Sequence, residues 1–207
     1  SDSLTLKDVD SDLDILGQVL PGSDVITFWR DEEWKLELRK GGCGNLFFLE
    51  PRPTGNDPFA RIMFSELGWD WLDEYSTTAW LGDHWSGGDA LLWVHAGSGS
   101  AKKNSPLACV AELAREWLDS KTRNRVIFSF GEADAEVRAN FERLEISKDR
   151  RVQVVGSVNL RKLRKMMVDQ ASAFLGNDSG PGHLAASLGI PTHIVFRSTD
   201  RKTWAPL

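Results

Sequence analysis

Cysteine is scarce in this sequence, which contains only Cys43 and Cys109 among its 207 residues. The two lie far apart and outside any metal-binding spacing, so we expect free thiols and a reducing compartment. Long apolar runs are also missing, since no stretch approaches the roughly 20 residues that a membrane-spanning helix needs. The first residues, Ser1-Asp2-Ser3, do not resemble a signal peptide. These absences predict a soluble, cytoplasmic protein.

An excess of basic charge is absent too. The net charge is -5 at pH 7 and the isoelectric point is about 5.4. A general nucleic-acid binder needs a basic surface for its phosphate contacts, so this class is excluded and any phosphate recognition must be local. No group of acids and histidines has metal-ligand spacing, so the sequence predicts no bound metal. The acidic first 20 residues predict a solvated segment that is partly helical.

Residues 1–88 predict a small, partial α/β domain followed by a linker. The predicted elements are a strand at 25–29, a helix at 31–39, a strand at 46–49 and a helix from Phe59. A strand, a helix and a second strand in succession predict parallel pairing, because the crossover helix must cover a sheet face. Residues 70–89 have no regular period and are rich in tryptophan, with Trp71, Trp80 and Trp85 close behind Trp69. We interpret them as a linker or interdomain wall and expect the boundary near residue 88.

From residue 89 onward, short apolar runs alternate regularly with amphipathic stretches. The predicted strands are 90–95, 125–130, 152–155, 173–175 and 190–196. The predicted helices are 105–120, 134–144, 160–171 and 184–188. Because each strand must be buried on both faces, this alternation predicts a doubly wound parallel sheet over residues 89–207.

The densest group of polar and small residues is the segment 176–189, between the last two predicted strands. Asp178, Ser179 and Gly180 fall where the strand's carboxyl end meets the first NH groups of a helix, which is where an open α/β sheet binds its ligand. A glycine-rich helix start lets a phosphate approach the backbone, and His183 follows one turn later. Each residue taken alone has a structural explanation as a helix cap or a buried histidine. Their concentration in one turn favours a ligand site.

A second glycine- and serine-rich loop, residues 95–106, follows the first strand of this sheet and contains Lys102 and Lys103. Small residues let backbone NH groups reach an anion, and a lysine neutralises the charge of a leaving phosphate. The loop lacks the Gly-Lys-Ser/Thr ending of a Walker motif. We expect Ser105 to cap the next helix and Pro106 to be its first residue. Since both loops leave carboxyl ends of strands, we expect them to converge on one crevice.

Two more loops follow predicted strands. In residues 130–136 the acids either favour the helix N-terminus or accept hydrogen bonds from ligand hydroxyls. In residues 156–159 backbone groups can hold a planar base. Four loops of these kinds suit the base, ribose, diphosphate and sugar of a nucleotide-activated sugar.

These motifs resemble those of glycosyltransferase family 9, the ADP-heptose:lipopolysaccharide heptosyltransferases. The resemblance covers about residues 90–207 and is most specific at residues 177–191, followed by Phe196, Thr199 and the Trp-Ala-Pro at 204–206. It implies a GT-B-like α/β fold, with a doubly wound donor-binding domain at 89–207 and a smaller or incomplete acceptor-side domain at 1–88. It implies catalytic roles for Lys102 and Asp178. The donor-binding residues that it implies are Ser98, Gly99, Glu136, Ser157, Val158, Ser179, Gly180 and His183.

The activity implied by the resemblance is inverting, metal-independent transfer of a sugar, heptose from ADP-heptose, to a lipopolysaccharide-type or other glycan acceptor. No cofactor is implied, and membrane association is at most peripheral, at the inner face and through the acceptor. The sequence departs from the family where Asn104 replaces a tryptophan that usually follows the lysine. The family's N-terminal domain also begins with a glycine-rich loop that carries a general base, and nothing near Ser1 matches it. Either the start of that domain is missing or the acceptor half is reduced.

Two other functions stay open. One is a non-catalytic nucleotide-sugar-binding protein that has lost the acceptor-side base. The other is a nucleotide-sugar epimerase or hydrolase, which needs a second acid or histidine facing Asp178. His84 and His95 are the candidates for that group, and both also have structural explanations.

Overall fold

The computed structural model describes residues 17–76, 85 and 87–206. The chain divides into two compact units, Ser1–Trp71 and Leu72–Leu207. The sequence-based boundary near residue 88 therefore differs from the division by compactness, which groups residues 72–88 with the second unit. Residues 1–16 of the acidic start lie outside the described residues, as do Trp80 and His84.

The first unit contains a strand-helix-strand crossover and a further helix. From residue 20 onward its strands and α-helices are β1 (Val25–Thr27), α1 (Glu32–Lys40), β2 (Leu46–Phe48) and α2 (Phe59–Glu66). The two strands pair in parallel, with Val25 opposite Leu46, as predicted. Helix α1 begins after Asp31, whose side chain accepts a hydrogen bond from the backbone NH of Trp34 and so satisfies one unpaired donor of the first turn.

The second unit is a five-stranded sheet with helices between its strands. Its elements are β3 (Leu91–His95), α3 (Leu107–Ser120), β4 (Arg125–Ser129), α4 (Ala135–Phe141), β5 (Val152–Val155), α5 (Leu160–Gln170), β6 (Ala173–Asn177), α6 (Gly180–Ser187), β7 (Thr192–Val195) and α7 (Arg201–Trp204). The strand order is β5-β4-β3-β6-β7, and each neighbouring pair is parallel. The chain builds outward from β3 to β5 and then returns to place β6 on the other side of β3. This arrangement confirms the predicted doubly wound sheet, and its switch point lies between β3 and β6.

Every residue of β3 is buried, because helices cover both faces of the sheet. Alternate residues of the strand enter two separate hydrophobic cores. One core packs the sheet against α3 and α4, and the other packs it against α5 and α6. Their buried members include, on the first face, Leu92, Val94, Ala114 and Phe141, and on the second, Leu91, Trp93, Met167 and Ala185. With both faces covered, the loops at the carboxyl edge are the part of the switch point left open to a ligand.

The start of α3 corrects one sequence-based prediction. The helix begins at Leu107, and Pro106 occupies the N-cap with an extended ψ of 124°. Ser105 is therefore not the cap, and Pro106 is not the first helical residue. The backbone NH of Ser105 donates to Asn177 Oδ1 at 2.8 Å, which ties Ser105 to β6 rather than to the helix.

Helix α6 begins earlier than its apolar run predicts. It starts at Gly180 rather than at Leu184, because Pro181 in the first turn supplies a helical φ and has no NH to satisfy. Its end is marked by Gly189 with a φ of +80°, a conformation that glycine adopts without strain. The predicted site residues of this segment therefore lie in the first turn of α6 or directly before it.

Three of the tryptophans interpreted as an interdomain wall, Trp69, Trp71 and Trp85, pack within their own units. In the first unit the rings of Trp69 and Trp71 lie edge-on to Phe64, with centroid distances of 5.6 and 5.2 Å. In the second unit Trp85 packs against the core beside α5 and donates its indole NH to the Ala171 carbonyl at 2.7 Å. These contacts account for the three tryptophans as packing residues.

Candidate functional site

The glycine- and serine-rich loop after β3 and the turn after β6 leave neighbouring strands at the same edge of the sheet. His95, the last residue of β3, lies opposite Gly176 of β6 in the register of the parallel pair. The two segments therefore start side by side at the switch point. This geometry confirms the expectation that they converge.

Asn177, the last residue of β6, holds the loop after β3 in place. Its side chain is almost completely buried, donates from Nδ2 to the Ala96 carbonyl at 2.7 Å and accepts from the Ser105 NH at 2.8 Å. One amide group thus fixes both ends of the loop. This role was not predicted from the sequence, because both contacts join residues that are more than 70 positions apart.

Asp178 forms the centre of the site. Its side chain is only 5% exposed, Oδ2 accepts from Lys103 Nζ and from Thr199 Oγ1, each at 2.8 Å, and Oδ1 lies 3.3 Å from His183 Nε2. Burial alone raises the pKa of Asp178, but the hydrogen bonds from Lys103, Thr199 and His183 outweigh it and hold the pKa below its usual value. The carboxylate is therefore ionised at neutral pH and held by donors from three segments of the chain.

The two adjacent lysines differ in position. Lys103 reaches Asp178, whereas Lys102 is exposed. Both belong to a short 3-10 turn, Ala101–Lys103, in which successive side chains point about 120° apart. The assignment of Lys102 to the diphosphate stays a prediction, and Lys103 is a functional candidate that spacing in the sequence did not separate from it.

Ser98 and Gly99 occupy the tip of the same loop. Ser98 is buried, and its Oγ lies 2.7 Å from the Ser100 carbonyl oxygen and 2.6 Å from Asn104 Oδ1. Asn104 is in turn held by Arg197, which donates to its carbonyl at 2.7 Å. Gly99 is exposed, and no atom lies within 4 Å of the position that a Cβ would take there. The loop is thus internally braced and presents open space at Gly99.

The first turn of α6 provides a second open position. Gly180 is exposed and has no atom within 4 Å of the position of an added Cβ. Ser179 is 9% exposed, and its Oγ is buried without a hydrogen-bond partner among the described residues. The NH groups of Gly182 and His183 donate to the Ser179 carbonyl and Pro181 has none, so the Ser179 hydroxyl and the Gly180 backbone NH are the groups of this turn that suit an anionic ligand. Ser179, Gly180 and His183 are therefore brought together with Asp178, as the sequence predicts.

The remaining predicted residues follow β4 and β5 at the same edge. Glu136 is exposed in the first turn of α4. Ser157 is exposed with its Oγ 3.4 Å from Glu132 Oε1, and Val158 packs against the core formed with α5. Because the strands are parallel, these three residues share the edge with Asp178, and their roles toward a base or ribose stay predictions.

A buried polar cluster beside the site was missed by the sequence analysis. His95 Nδ1 lies 3.0 Å from Ser129 Oγ, and His95 Nε2 lies 3.4 Å from Asp134 Oδ2. Asp134 is 4% exposed, although its position in an acidic loop favoured an exposed helix-start acid. Burial lowers the pKa of His95, while the contacts with Asp134 and Ser129 oppose that shift without overcoming it. His95 faces Asp134 rather than Asp178, so it is not the second group that an epimerase requires.

Three further observations concern ions, thiols and membranes. Among the described residues, no group of three or more histidine, cysteine or acidic side chains could hold a metal ion. Cys43 and Cys109 are free thiols, as predicted. Within the same part of the chain, no helix has the length and apolar character needed to cross a bilayer.

A parallel sheet with this strand order and a glycine-rich turn on each side of its switch point defines a doubly wound α/β domain. The sequence model of glycosyltransferase family 9 (heptosyltransferase) matches residues 72–207, more than half of the chain. The chain belongs to this family.

Sequence relatives and solved structures agree with this assignment. Over 40 residues the chain is 42% identical to lipopolysaccharide heptosyltransferase 3 of Escherichia coli K12, a match that spans 19% of this chain and 12% of the relative. The E. coli heptosyltransferase WaaC, solved with ADP, aligns with a TM-score of 0.67 at 14% identity. The alignment covers 98% of this chain and 70% of the WaaC chain. A family 9 glycosyltransferase from Veillonella parvula aligns with a TM-score of 0.64 at 18% identity, over 93% and 64% of the two chains. These structural likenesses show a GT-B-like α/β fold.

Proposed function

We propose that this chain is a glycosyltransferase that binds a nucleotide sugar at the β3/β6 switch point and passes its sugar to a glycan acceptor. The observation that carries the proposal is the Lys103–Asp178 pair, 2.8 Å long, next to the exposed Gly180 at the start of α6. Cationic, hydroxyl and backbone NH donors meet there around open space. Such a set suits the diphosphate of the donor.

Heptose carried by ADP is the donor that we propose. The heptosyltransferase WaaC was solved with ADP and with ADP-2-deoxy-2-fluoro heptose, and another neighbour is named as an ADP-heptose heptosyltransferase. By the family resemblance, the backbone at Ser157 and Val158 holds the base and Glu136 accepts from donor hydroxyls. Ser98 and Gly99 then lie at the diphosphate, with Ser179, Gly180 and His183 facing it from α6.

The reaction that fits this donor site is metal-independent transfer with inversion. An acceptor hydroxyl loses its proton to a base on the N-terminal side and attacks the anomeric carbon from the face opposite the diphosphate. The bond between that carbon and the diphosphate oxygen breaks, and the nucleoside diphosphate leaves. Lysine side chains and the NH groups at Gly99 and Gly180 meet the negative charge that develops on it. Asp178 keeps its cationic partner oriented toward that charge.

A lipopolysaccharide-type glycan is the acceptor that we propose, because family members of that activity are among the chain's relatives. Such an acceptor brings the protein to the inner face of a membrane from the cytoplasm. The chain spans 12% of its curated relative and 64% to 70% of the first two solved neighbours, so acceptor recognition belongs to the proposal and not to the observed site.

A thermal-shift screen against ADP-, UDP- and GDP-sugars tests the donor. A ligand that binds only the folded state raises the melting temperature by an amount that follows its affinity, so ADP-heptose should produce the largest rise. Transfer is then measured by ADP release with a heptose-deficient lipopolysaccharide acceptor, with and without EDTA. Activity that survives EDTA supports metal independence, and activity that is lost contradicts it.

The outcome of this assay also separates the rival functions. Binding of ADP-heptose without transfer to any acceptor supports a non-catalytic binding protein. Turnover of the donor without an acceptor supports an epimerase or hydrolase. Asp178→Ala should remove transfer, and Asp169→Ala, which changes an exposed acid of α5, is its control. Full transfer by Asp178→Ala contradicts the proposed function.

A further inference from the structure

A chain of buried polar side chains runs from β3 to the loop after β4, on the side of the donor site away from Asp178. Trp93 Nε1 donates to Ser129 Oγ at 2.9 Å, and Ser129 Oγ lies 3.0 Å from His95 Nδ1. On its other side His95 faces Asp134, which accepts from the Gly131 NH at 2.7 Å. Trp93, Ser129, His95 and Asp134 are each less than 9% exposed. None of the steps of the proposed transfer uses these groups.

His95 has a hydrogen-bonding partner at each ring nitrogen. Its Nε2 faces the Asp134 carboxylate, and its Nδ1 faces the Ser129 hydroxyl. The Ser129 hydroxyl accepts from Trp93 Nε1 and also lies 3.2 Å from the Val94 carbonyl oxygen. The His95 ring is therefore held between a buried carboxylate on one side and a serine on the other.

The same carboxylate determines the path of the loop after β3. A Cβ added at Gly97 would lie 1.9 Å from Asp134 Oδ1 and 2.1 Å from its Cγ, so the backbone of Gly97 packs directly on the carboxylate. Gly97 is adjacent to Ser98, and Asn177 holds the preceding carbonyl of Ala96. The loop is thus fixed between an amide on the β6 side and an acid on the β4 side.

We propose that His95 and Asp134 are a positioning pair for donor binding: His95 orients Asp134, and Asp134 supports the backbone at Gly97 that leads into the anion-binding tip of the loop. This inference rests on the proposed function, because it assigns the loop a donor to bind. It adds two residues outside the predicted donor contacts. Neither residue is required to touch the donor.

Three substitutions of His95 separate positioning from packing. His95→Gln keeps an NH near the Nε2 position and so keeps the interaction with Asp134. His95→Asn keeps an acceptor for Ser129 but does not reach Asp134. His95→Phe keeps the ring volume and removes both interactions. If His95 acts through Asp134, ADP affinity measured by calorimetry falls about tenfold for Asn and Phe and changes less than about twofold for Gln, because small displacements of positioning groups are costly.

Leu118→Ala is the control, since Leu118 is fully buried in the core at the far end of α3 and its loss lowers the melting temperature without touching the loop. Backbone hydrogen exchange at residues 98–103 is measured for the same variants without ligand. Faster exchange for His95→Phe than for Leu118→Ala supports the positioning pair. Equal ADP affinities for all three His95 variants, or equal exchange in His95→Phe and wild type, overturn it. If the wild type binds no nucleotide, the proposed function fails, and the exchange data alone decide whether the pair positions the loop.

Discussion

The carboxylate of Asp178 illustrates how neighbouring donors reverse the effect of burial. A buried acid without partners takes up a proton, whereas Lys103, Thr199 and His183 together keep Asp178 ionised. These partners come from the loop after β3, from the segment after β7 and from α6. A single buried charge therefore connects three segments of the candidate site.

Single substitutions of the two adjacent lysines, Lys102 and Lys103, should lower ADP affinity by unequal amounts. Lys103→Ala removes the cation from Asp178, so we expect ADP affinity to fall about tenfold or more, the equivalent of one charge-assisted hydrogen bond. Lys102→Ala removes an exposed cation and should weaken ADP binding less. Isothermal titration of both variants checks the order. A larger loss for Lys102→Ala would contradict this order and support the sequence-based assignment of Lys102 to the diphosphate.

His95 should make the stability of the protein depend on pH. Burial lowers the pKa of His95, with Asp134 as the charged group that faces it. In the unfolded chain the imidazole takes up a proton near its usual pKa of about 6.5, before the folded protein does so. The free energy of unfolding therefore falls as the pH decreases through this range.

The comparison of wild type with His95→Gln isolates this contribution. Urea unfolding at pH 7.5 and pH 5 should show that the variant loses less stability between the two pH values than the wild type does. An equal or larger loss in the variant would mean that His95 does not remain neutral in the fold.

At the scale of elements, the site depends on how β6 ends. The strand finishes with Asn177, whose amide fixes the loop after β3, and the next residues turn directly into α6. The turn after one strand thus determines the conformation of the loop after its neighbour. Asn104 braces the same loop through Ser98.

Asn177→Ala should reduce both stability and donor binding. It leaves the Ala96 carbonyl and the Ser105 NH without their partner, so we expect a loss of about 2–3 kcal/mol in the free energy of unfolding, measured in urea. ADP affinity should fall as well, because the loop is released.

Asn124→Ala is a matched control for this prediction. Asn124 is equally buried and donates to the Trp117 carbonyl at 2.7 Å, but it lies directly before β4, at the amino edge of the sheet. Its loss should lower stability and leave ADP affinity unchanged. Equal effects of the two variants on ADP binding would contradict the role of Asn177.

At the scale of the second unit, the two edges of the sheet have different roles. The candidate site occupies the carboxyl edge, and an ion-pair cluster lies at the amino edge, directly before β5. There Asp149 accepts from Arg151 Nη2 and Arg115 Nη1, each at 2.9 Å, and Arg151 also donates to the Leu118 carbonyl at 2.7 Å. Hydrogen bonds from Arg151 hold the pKa of Asp149 far below its usual value.

Asp149→Asn should therefore affect stability and leave donor binding unchanged. The lowered pKa means that Asp149 contributes stability at neutral pH and loses it as the pH falls below about 4. We expect a loss of about 1 kcal/mol at pH 7 after screening by solvent, measured by urea unfolding, and no change in ADP affinity. Glu145→Gln is the control, because it removes an exposed ion pair, the one that Glu145 forms with Lys148. Weaker ADP binding by Asp149→Asn would contradict the separation of the two edges.

Local pattern in the sequence determined the alternation of strands and helices, the parallel sheet of the second unit and the positions of Asp178, Ser179 and Gly180 at a strand-to-helix turn. Buried parallel strands are apolar and helix starts have their own residue preferences, so these features are visible in short windows of sequence. The family motif added the expected donor.

Only the tertiary structure decided which partners those residues have. Lys103 was joined to Asp178, Asp134 was buried against Gly97, and Asn177 was joined to Ser105, all through contacts between segments that are 37 to 75 residues apart in the chain. No local pattern contains such contacts, because they arise from strand order: the return of the chain from β5 to β6 places the β6 turn beside the loop after β3. The residue types of the site were therefore readable from the sequence, and their hydrogen bonds and charges required the assembled sheet.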